Sequence, residues 1–422
     1  MVRSALSPVN RPSGAVVSSS VAVFTSIAAN YLPKARVLAT SLKRVAPHAD
    51  FYLMLVDAYP EDADWSNEPF DALITVNDLA IPNATGWCFA HQVVELCTAV
   101  KGFATGYLLD QPDVEQVFYF DPDMVVHDRF SDLEAWLNDT SILLTPHQTE
   151  PETGTEAIMD NEMASLKHGV FNMGFFGVRD TAEGRRFAQW WSKRLEQFCL
   201  DDIPRGLFTD QKWANLVPCF FEDYRVIRSP AFNVATWNIT TRKVSGSLAD
   251  GVTVNGEPLG FYHFSGFDSG DQALMLNKYG SDSKTLSEMR AWYIEESRAF
   301  GQEQDGQRAY GYAHYADGEP ITAAQRALYR ERIDLQRAFP DPFVRQPGGG
   351  YLGWYRANAG DDEAESDGTL SQGPRPVDTI LESAANELQR LHRLKPQWLK
   401  RFILQSLSWM LQRLARLSRI LS

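Results

Sequence analysis

Asp121 and Asp123 stand two residues apart around Pro122, directly after the run QVFYF, the most strongly apolar stretch in the first half of the chain. Carboxylates at i and i+2 on a loop can share one hard divalent cation, directly or through water. Magnesium or manganese held in this way would bridge a diphosphate and neutralise charge on a departing group. The structural alternative is a solvated turn whose Asp caps a helix beginning at Phe130, and an isolated D-x-D divides evenly between the two readings. Three further segments offer chemistry. The strand-like FNMGF places Asn172 and Gly174 among apolar residues. An amide there can meet ligand hydroxyls as donor and acceptor, and a strand glycine marks the close approach of a ligand or a backbone. A bulge with a structural Asn accounts for the pair equally well. Thr209-Asp210-Gln211 opens a helical stretch and is read most simply as an N-cap. His263, at the end of a short apolar run and three residues before Gly266, can complete a metal shell otherwise made of oxygens. A lone His is more often a satisfied core residue.

These residues need elements to hold them. Short apolar runs at 20–26, 50–57, 72–76, 116–121 and 171–178 alternate with amphipathic stretches opening at Tyr31-Leu32-Pro33 and over 89–104 and 181–198. Residues 209–217 read as helical, and 260–263 as a short closing strand. The alternation predicts a parallel, doubly wound sheet, whose ligands bind beyond the carboxyl ends of the strands. Thr25, Ser26 and Asp57 stand at such ends.

The 422 residues carry a net charge of −14, which excludes a general nucleic-acid binder. The charge is uneven: 390–422 holds eight Lys/Arg and no Asp/Glu. From these patterns we divide the chain into a loose lead-in (1–18), a catalytic domain (19–300), a mixed extension packed on it (301–357), a flexible acidic linker (358–377) and a basic amphipathic helical tail (378–422). Two readings of the tail carry equal weight: a helix packed on protein, or a helix on an anionic membrane surface with Trp398 and Trp409 near the headgroups. No signal-peptide pattern and no spanning apolar run is present, which predicts a cytoplasmic protein, or one peripheral on the inner face of the membrane. The four cysteines show no paired or zinc-like spacing and read as buried free thiols.

Taken together and in order, VAVFTS, NYLP, FYFDPDMVV, FNMGFFGV, TDQKWAN and HFSG resemble the retaining glycosyltransferases of family 8 and their bacterial relatives over residues 20–270. The resemblance implies a Rossmann-like GT-A nucleotide-diphospho-sugar transferase fold with a helical C-terminal extension. It implies a metal-dependent, hexosyltransferase-like enzyme using Mn2+ or Mg2+. A nucleotide-sugar donor, a UDP-sugar first among them, would supply the sugar to a glycan or lipid-linked acceptor. Asp121, Asp123 and His263 would hold the metal. Thr25, Ser26 and Asp57 would lie near the nucleoside, Asn172 and Gly174 would line the donor sugar, and Asp210 and Gln211 would face its reacting carbon. Gly266 belongs to the same substrate-binding set, and Lys101 is a phosphate or sugar contact, or else a surface lysine. One departure stands out. The family's last motif continues to K-P-W with its lysine on the diphosphate, whereas here Gly266 is followed by Phe267-Asp268-Ser269. Lys101, Arg242 and Lys278 are the bases the sequence offers instead, and the NVATWN stretch at 233–238 falls where donor or acceptor loops would be.

Two rivals remain on sequence grounds. A haloacid-dehalogenase-like phosphatase also carries D-x-D after an apolar strand, the first Asp acting as nucleophile, but normally near the start of its catalytic domain. A catalytically inactive sugar-binding scaffold would keep the fold without the chemistry. Inverting transfer would require a carboxylate base such as Asp210; retention rests on the resemblance.

Overall fold

The computed structural model describes residues 20–58, 65–344 and 349–359. The lead-in, the tail and the linker beyond Ala359 lie outside the described residues. Nine strands build the framework: β1 (Val21–Ile27), β2 (Asp50–Leu55), β3 (Ala72–Thr75), β4 (Gln116–Phe120), β5 (Met124–Val126), β6 (Ile142–Pro146), β7 (Phe171–Arg179), β8 (Tyr224–Val226) and β9 (Phe261–His263). Seven of them form one open sheet in the order β8-β6-β7-β4-β1-β2-β3. The half β4-β1-β2-β3 is parallel, as the alternating pattern predicts. β7 differs: it runs antiparallel to both β4 and β6. The chain leaves β6, makes the helical excursion over 155–168 and returns at the same end, so no crossover restores the direction. The sheet is therefore mixed. It keeps the expected α/β, Rossmann-like arrangement, with helices following from Lys284 to Asn358.

Side chains of β1 alternate between two cores, as the period of two requires. Ala22 and Phe24 join the face covered by α2 (Val93–Leu109) and α3 (Ala182–Phe198), through Leu96, Val100, Phe187 and Trp191. Val21 and Val23 face α1 (Leu32–Val45), through Leu38 and Leu42. Pro33 sits in the first turn of α1, where its missing N–H costs no hydrogen bond. Thr181 caps α3, accepting from the Gly184 N–H at 3.0 Å.

The C-terminal helical region packs on the sheet's helical layer through aromatic rings. Phe89 stands edge-on to Tyr329, Phe343 and Tyr351. The buried Arg326 ties the two parts, donating to the carbonyls of Phe89 and His91 at 2.7 and 3.0 Å and to that of Tyr312 at 2.5 Å. The four thiols are free, but only Cys88 and Cys199 are buried: Cys97 is half-buried, and Cys219 is exposed in a one-turn surface helix (Val217–Phe220). No helix among the described residues is long and apolar enough to cross a membrane.

Candidate active site

β4 delivers Asp121 to the carboxyl end of the sheet, and β5 turns away after Asp123 to pair antiparallel with β9. That two-stranded pairing sets His263 opposite Met124. Its Nε2 lies 3.0 Å from an Asp123 oxygen and 3.9 Å from an Asp121 oxygen. One ligand atom from each of Asp121, Asp123 and His263 lies within 4.8 Å of the other two, so the three predicted metal ligands meet, from positions 140 residues apart in sequence. Neither aspartate caps the helix starting at Phe130, whose N-cap is Arg129 with no side-chain cap bond. Two carboxylates and an imidazole suit a divalent cation, manganese better than magnesium, which prefers an all-oxygen shell. Burial would raise the Asp123 carboxyl, but the facing His263 outweighs it and holds it below the ordinary range. Burial would likewise lower His263, and Asp123 raises it instead. A divalent cation would take over the imidazole proton's role as counter-charge.

Because β7 is antiparallel, its first residues lie at this same end. Asp121 N–H donates to the Gly174 carbonyl at 2.7 Å. A Cβ on Gly174 would stand 2.7 Å from Asp121 Oδ2, 2.7 Å from Met124 Cε and 2.8 Å from Asn172 Oδ1. The close approach that a strand glycine signals is thus made by the Asp121 carboxylate. Asn172 donates to Gln211 Oε1 at 3.3 Å, while its own Oδ1 is buried without a partner. Gln211 also accepts from the Met173 N–H at 3.3 Å and donates to the His168 carbonyl at 3.2 Å. Its amide holds Asn172 and the start of β7 in place.

Lys101 is neither a surface residue nor a free cation. Its side chain is 2% exposed, 3.3 Å from Asp121 Oδ1, 3.0 Å from Asp210 Oδ2 and 3.0 Å from the Met173 carbonyl. Burial works against the ammonium, yet Asp121 and Asp210 hold it above its ordinary pKa. Asp210 is raised by burial, only partly offset by Lys101, since one ammonium serves two carboxylates. Thr209, before it, has φ of +44°, costly for a β-branched residue, and its hydroxyl donates to Asp210 at 3.1 Å. Tyr119 OH completes the set, donating to Asp121 Oδ1 at 2.7 Å.

The expected nucleoside residues divide. Ser26 lies within reach of Tyr119 OH at 3.1 Å and donates to the Cys97 carbonyl at 2.6 Å. Thr25, one residue earlier, is wholly buried on the opposite face of β1, and its hydroxyl has no partner. Asp57 is occupied: its carboxylate accepts from the N–H groups of Ala29, Ala58 and Gly311 at 3.0, 2.7 and 2.7 Å. It clamps the C-terminal region onto the end of β2. Gly266 adopts φ of +73° and turns the chain toward the helix starting at Asp271, its carbonyl accepting from Gln272 N–H at 3.0 Å. Arg242 is buried on the carbonyls of Pro230 and Phe232, at 3.1 and 2.6 Å. Lys278 pairs with Asp160 at 2.6 Å.

Two site residues were not named singly from the sequence, although one lies in the 233–238 stretch placed near the donor or acceptor loops. Trp237, in the NVATWN stretch, presents its ring edge-to-face to both His147 and His263, each at 5.3 Å between centroids. Burial lowers His147 to about 4 and keeps it neutral. His147 Nδ1, His263 Nδ1, Trp237 Nε1 and Asn172 Oδ1 are all buried without a hydrogen-bond partner, so each is open to one from a ligand or a water. Beside them, an open groove of about 570 Å³ is lined by Pro146, Gln148, Glu162, Leu166, Phe171 and Arg228. Its lining includes Phe171 but neither Asn172 nor the metal ligands.

No family model matches the chain. Two uncharacterized proteins of Bacillus subtilis (strain 168) are similar in sequence. YfnF is 29% identical over 175 residues, 41% of this chain and 57% of that protein. YfnD is 27% identical over 250 residues, 58% of this chain and 76% of that protein. The chain therefore spans little more than half of YfnF. Among solved structures, the galactosyltransferase LgtC with donor and acceptor sugar analogs matches at 14% identity over 66% of this chain and 96% of that one, with a TM-score of 0.37. The glycosyltransferase GlyE of Streptococcus pneumoniae TIGR4 matches at 16% identity over 52% of this chain and 47% of that one, with a TM-score of 0.32. At such scores the likenesses say nothing of what this chain binds.

Proposed function

We propose that this chain is a metal-dependent glycosyltransferase that moves a sugar from a nucleotide-diphosphate donor, a UDP-sugar first among them, to a glycan or lipid-linked acceptor. The observation that carries the reading is the convergence of Asp121, Asp123 and His263 at the carboxyl end of a Rossmann-like sheet, facing the unpartnered amide oxygen of Asn172. The ordered motifs that resemble family 8 support it. Asp121, Asp123 and His263 would hold Mn2+ or Mg2+, which when bound neutralises charge on the leaving diphosphate. Asn172 orients the donor sugar through its free Oδ1, and Gln211 fixes Asn172.

Retention fits better than inversion. An inverting enzyme needs a carboxylate open to the acceptor hydroxyl, and Asp210 is 3% exposed and tied to Lys101 at 3.0 Å. The phosphatase reading finds less support. Asp121 follows the fourth strand of the sheet rather than the first, and an imidazole completes the cluster where a phosphatase would supply further acids.

The test is a thermal-shift panel of nucleotide sugars with and without manganese, on the wild type and Asp121→Asn/Asp123→Asn. A ligand at about 100 times its Kd stabilises by roughly 2.7 kcal/mol. Manganese-dependent stabilisation by one nucleotide sugar, lost in the double variant, is expected. Indifference of the wild type to every nucleotide sugar would refute the reading.

A further inference from the structure

A donor diphosphate brings negative charge to a cluster already holding Asp121, Asp123 and Asp210, so a cation beyond the metal is needed. The three bases that the sequence offered are all engaged. Lys101 is shared between Asp121 and Asp210, Arg242 is bound to backbone carbonyls, and Lys278 is paired with Asp160. Lys34 is engaged differently. Its side chain is 3% exposed, with the ammonium 4.2 Å from the centre of the Tyr31 ring and 5.7 Å from that of Phe267. Its ion-pair partner is Asp268, whose side chain is 48% exposed, and Tyr31 OH donates to the same oxygen at 2.6 Å. Asp268 follows His263 by five residues, on a loop anchored where the Phe264 N–H donates to the Asp123 carbonyl at 2.9 Å.

We propose that Lys34 is the protein's diphosphate-binding cation and that Asp268 holds its ammonium only until a nucleoside diphosphate takes the place of the Asp268 carboxylate. The proposal rests on the transferase reading. The ammonium is already desolvated and fixed over two rings, so a phosphate oxygen gains a strong charge-assisted bond with little further ordering. The exposed carboxylate gives up the pair cheaply, because water solvates it at once. The arrangement also accounts for the departure in the last motif. The segment after Gly266 supplies an acid, Asp268, and no lysine, and the lysine comes from the first helix to meet it.

Isothermal titration of the full chain tests this, with manganese present and UDP, GDP, ADP and dTDP as probes, each beside its monophosphate. Lys34→Met is expected to weaken the bound diphosphate by about 10- to 100-fold, the range of a bond to a charged group. Lys34→Arg should restore most of the affinity. Monophosphate affinity and manganese affinity, the latter read by electron paramagnetic resonance, should stay near wild type, which a merely structural role would not produce. Asp268→Asn frees the ammonium and should bind the diphosphate at least as tightly. It serves as the independent variant if Lys34→Met does not fold. Wild-type diphosphate affinity in a folded Lys34→Met, or a loss of about tenfold in Asp268→Asn, overturns the role of Lys34 and leaves the transferase reading standing. No diphosphate binding by the wild type overturns both.

Discussion

Replacing Gly174 with alanine should damage the metal site more than the fold. The added Cβ would stand 2.7 Å from Asp121 Oδ2, where ordinary contact begins at 3.4 Å, so the carboxylate must retreat by about 0.7 Å. Metal–oxygen distances for magnesium are near 2.1 Å and tolerate little change, so this retreat removes a ligand or forces it off axis. Perturbing what positions a ligand typically costs about 10- to 100-fold in metal affinity. Overpacking costs roughly 1–3 kcal/mol of stability in addition. We predict that Gly174→Ala loses manganese affinity in that range, measured by electron paramagnetic resonance on folded protein, with a modest drop in the urea midpoint. Gly177→Ala is the control. It lies on the same strand, its Cβ would press on Phe118 at 3.1 Å, and it should lower stability without touching manganese affinity. Equal manganese affinity in Gly174→Ala and the wild type would refute the argument that this glycine exists to admit the Asp121 carboxylate.

Two further expectations follow from buried charge. Lys101→Met leaves Asp121 and Asp210 facing each other without their cation, and breaking a buried pair in this way costs roughly 3–5 kcal/mol in urea unfolding; adding Asp210→Asn should recover part of the loss, and no recovery would count against the pairing. His91, buried with its Nδ1 bonded to the Trp87 carbonyl at 2.8 Å, is lowered to about 4, first by burial and then, against that bond, by Arg330 and Arg326. The unfolded chain therefore binds a proton below about pH 6.5 that the folded one refuses, so stability is full above pH 6.5 and falls toward pH 4, by roughly 3 kcal/mol from this group. His91→Phe should flatten that limb of the stability curve, and an unchanged slope between pH 6.5 and 4 would show that the residue contributes nothing to it.

The chemistry-bearing ends of β1, β4 and β7 were readable because apolar runs, polar strand ends and the D-x-D spacing are local properties of the chain. The DPD turn, Asn172 and Gly174, Asp210 and Gln211, and His263 were all singled out from residue type and neighbours. The antiparallel direction of β7 was not readable, since a strand's hydrophobic pattern is the same in either direction. Nor was β5, whose three residues carry no periodicity and which pairs with β9 far along the chain. Lys101 could be placed on a helix but not in a charge network, and Asp57 could be placed at a strand end but not against Gly311, 254 residues away. Lys34 left one trace: a lysine in the first turn of a helix opposes the helix dipole and calls for a nearby anion. Its partner, Asp268, lies 234 residues on. Sequence alone thus determined which groups could do chemistry and at which strand ends they stand, because composition and periodicity act over a few residues. That two aspartates and one histidine share a point was implied by the resemblance and by no local pattern; which carboxylate faces which cation was decided only by tertiary packing, because those distances depend on strand pairings that local pattern does not encode.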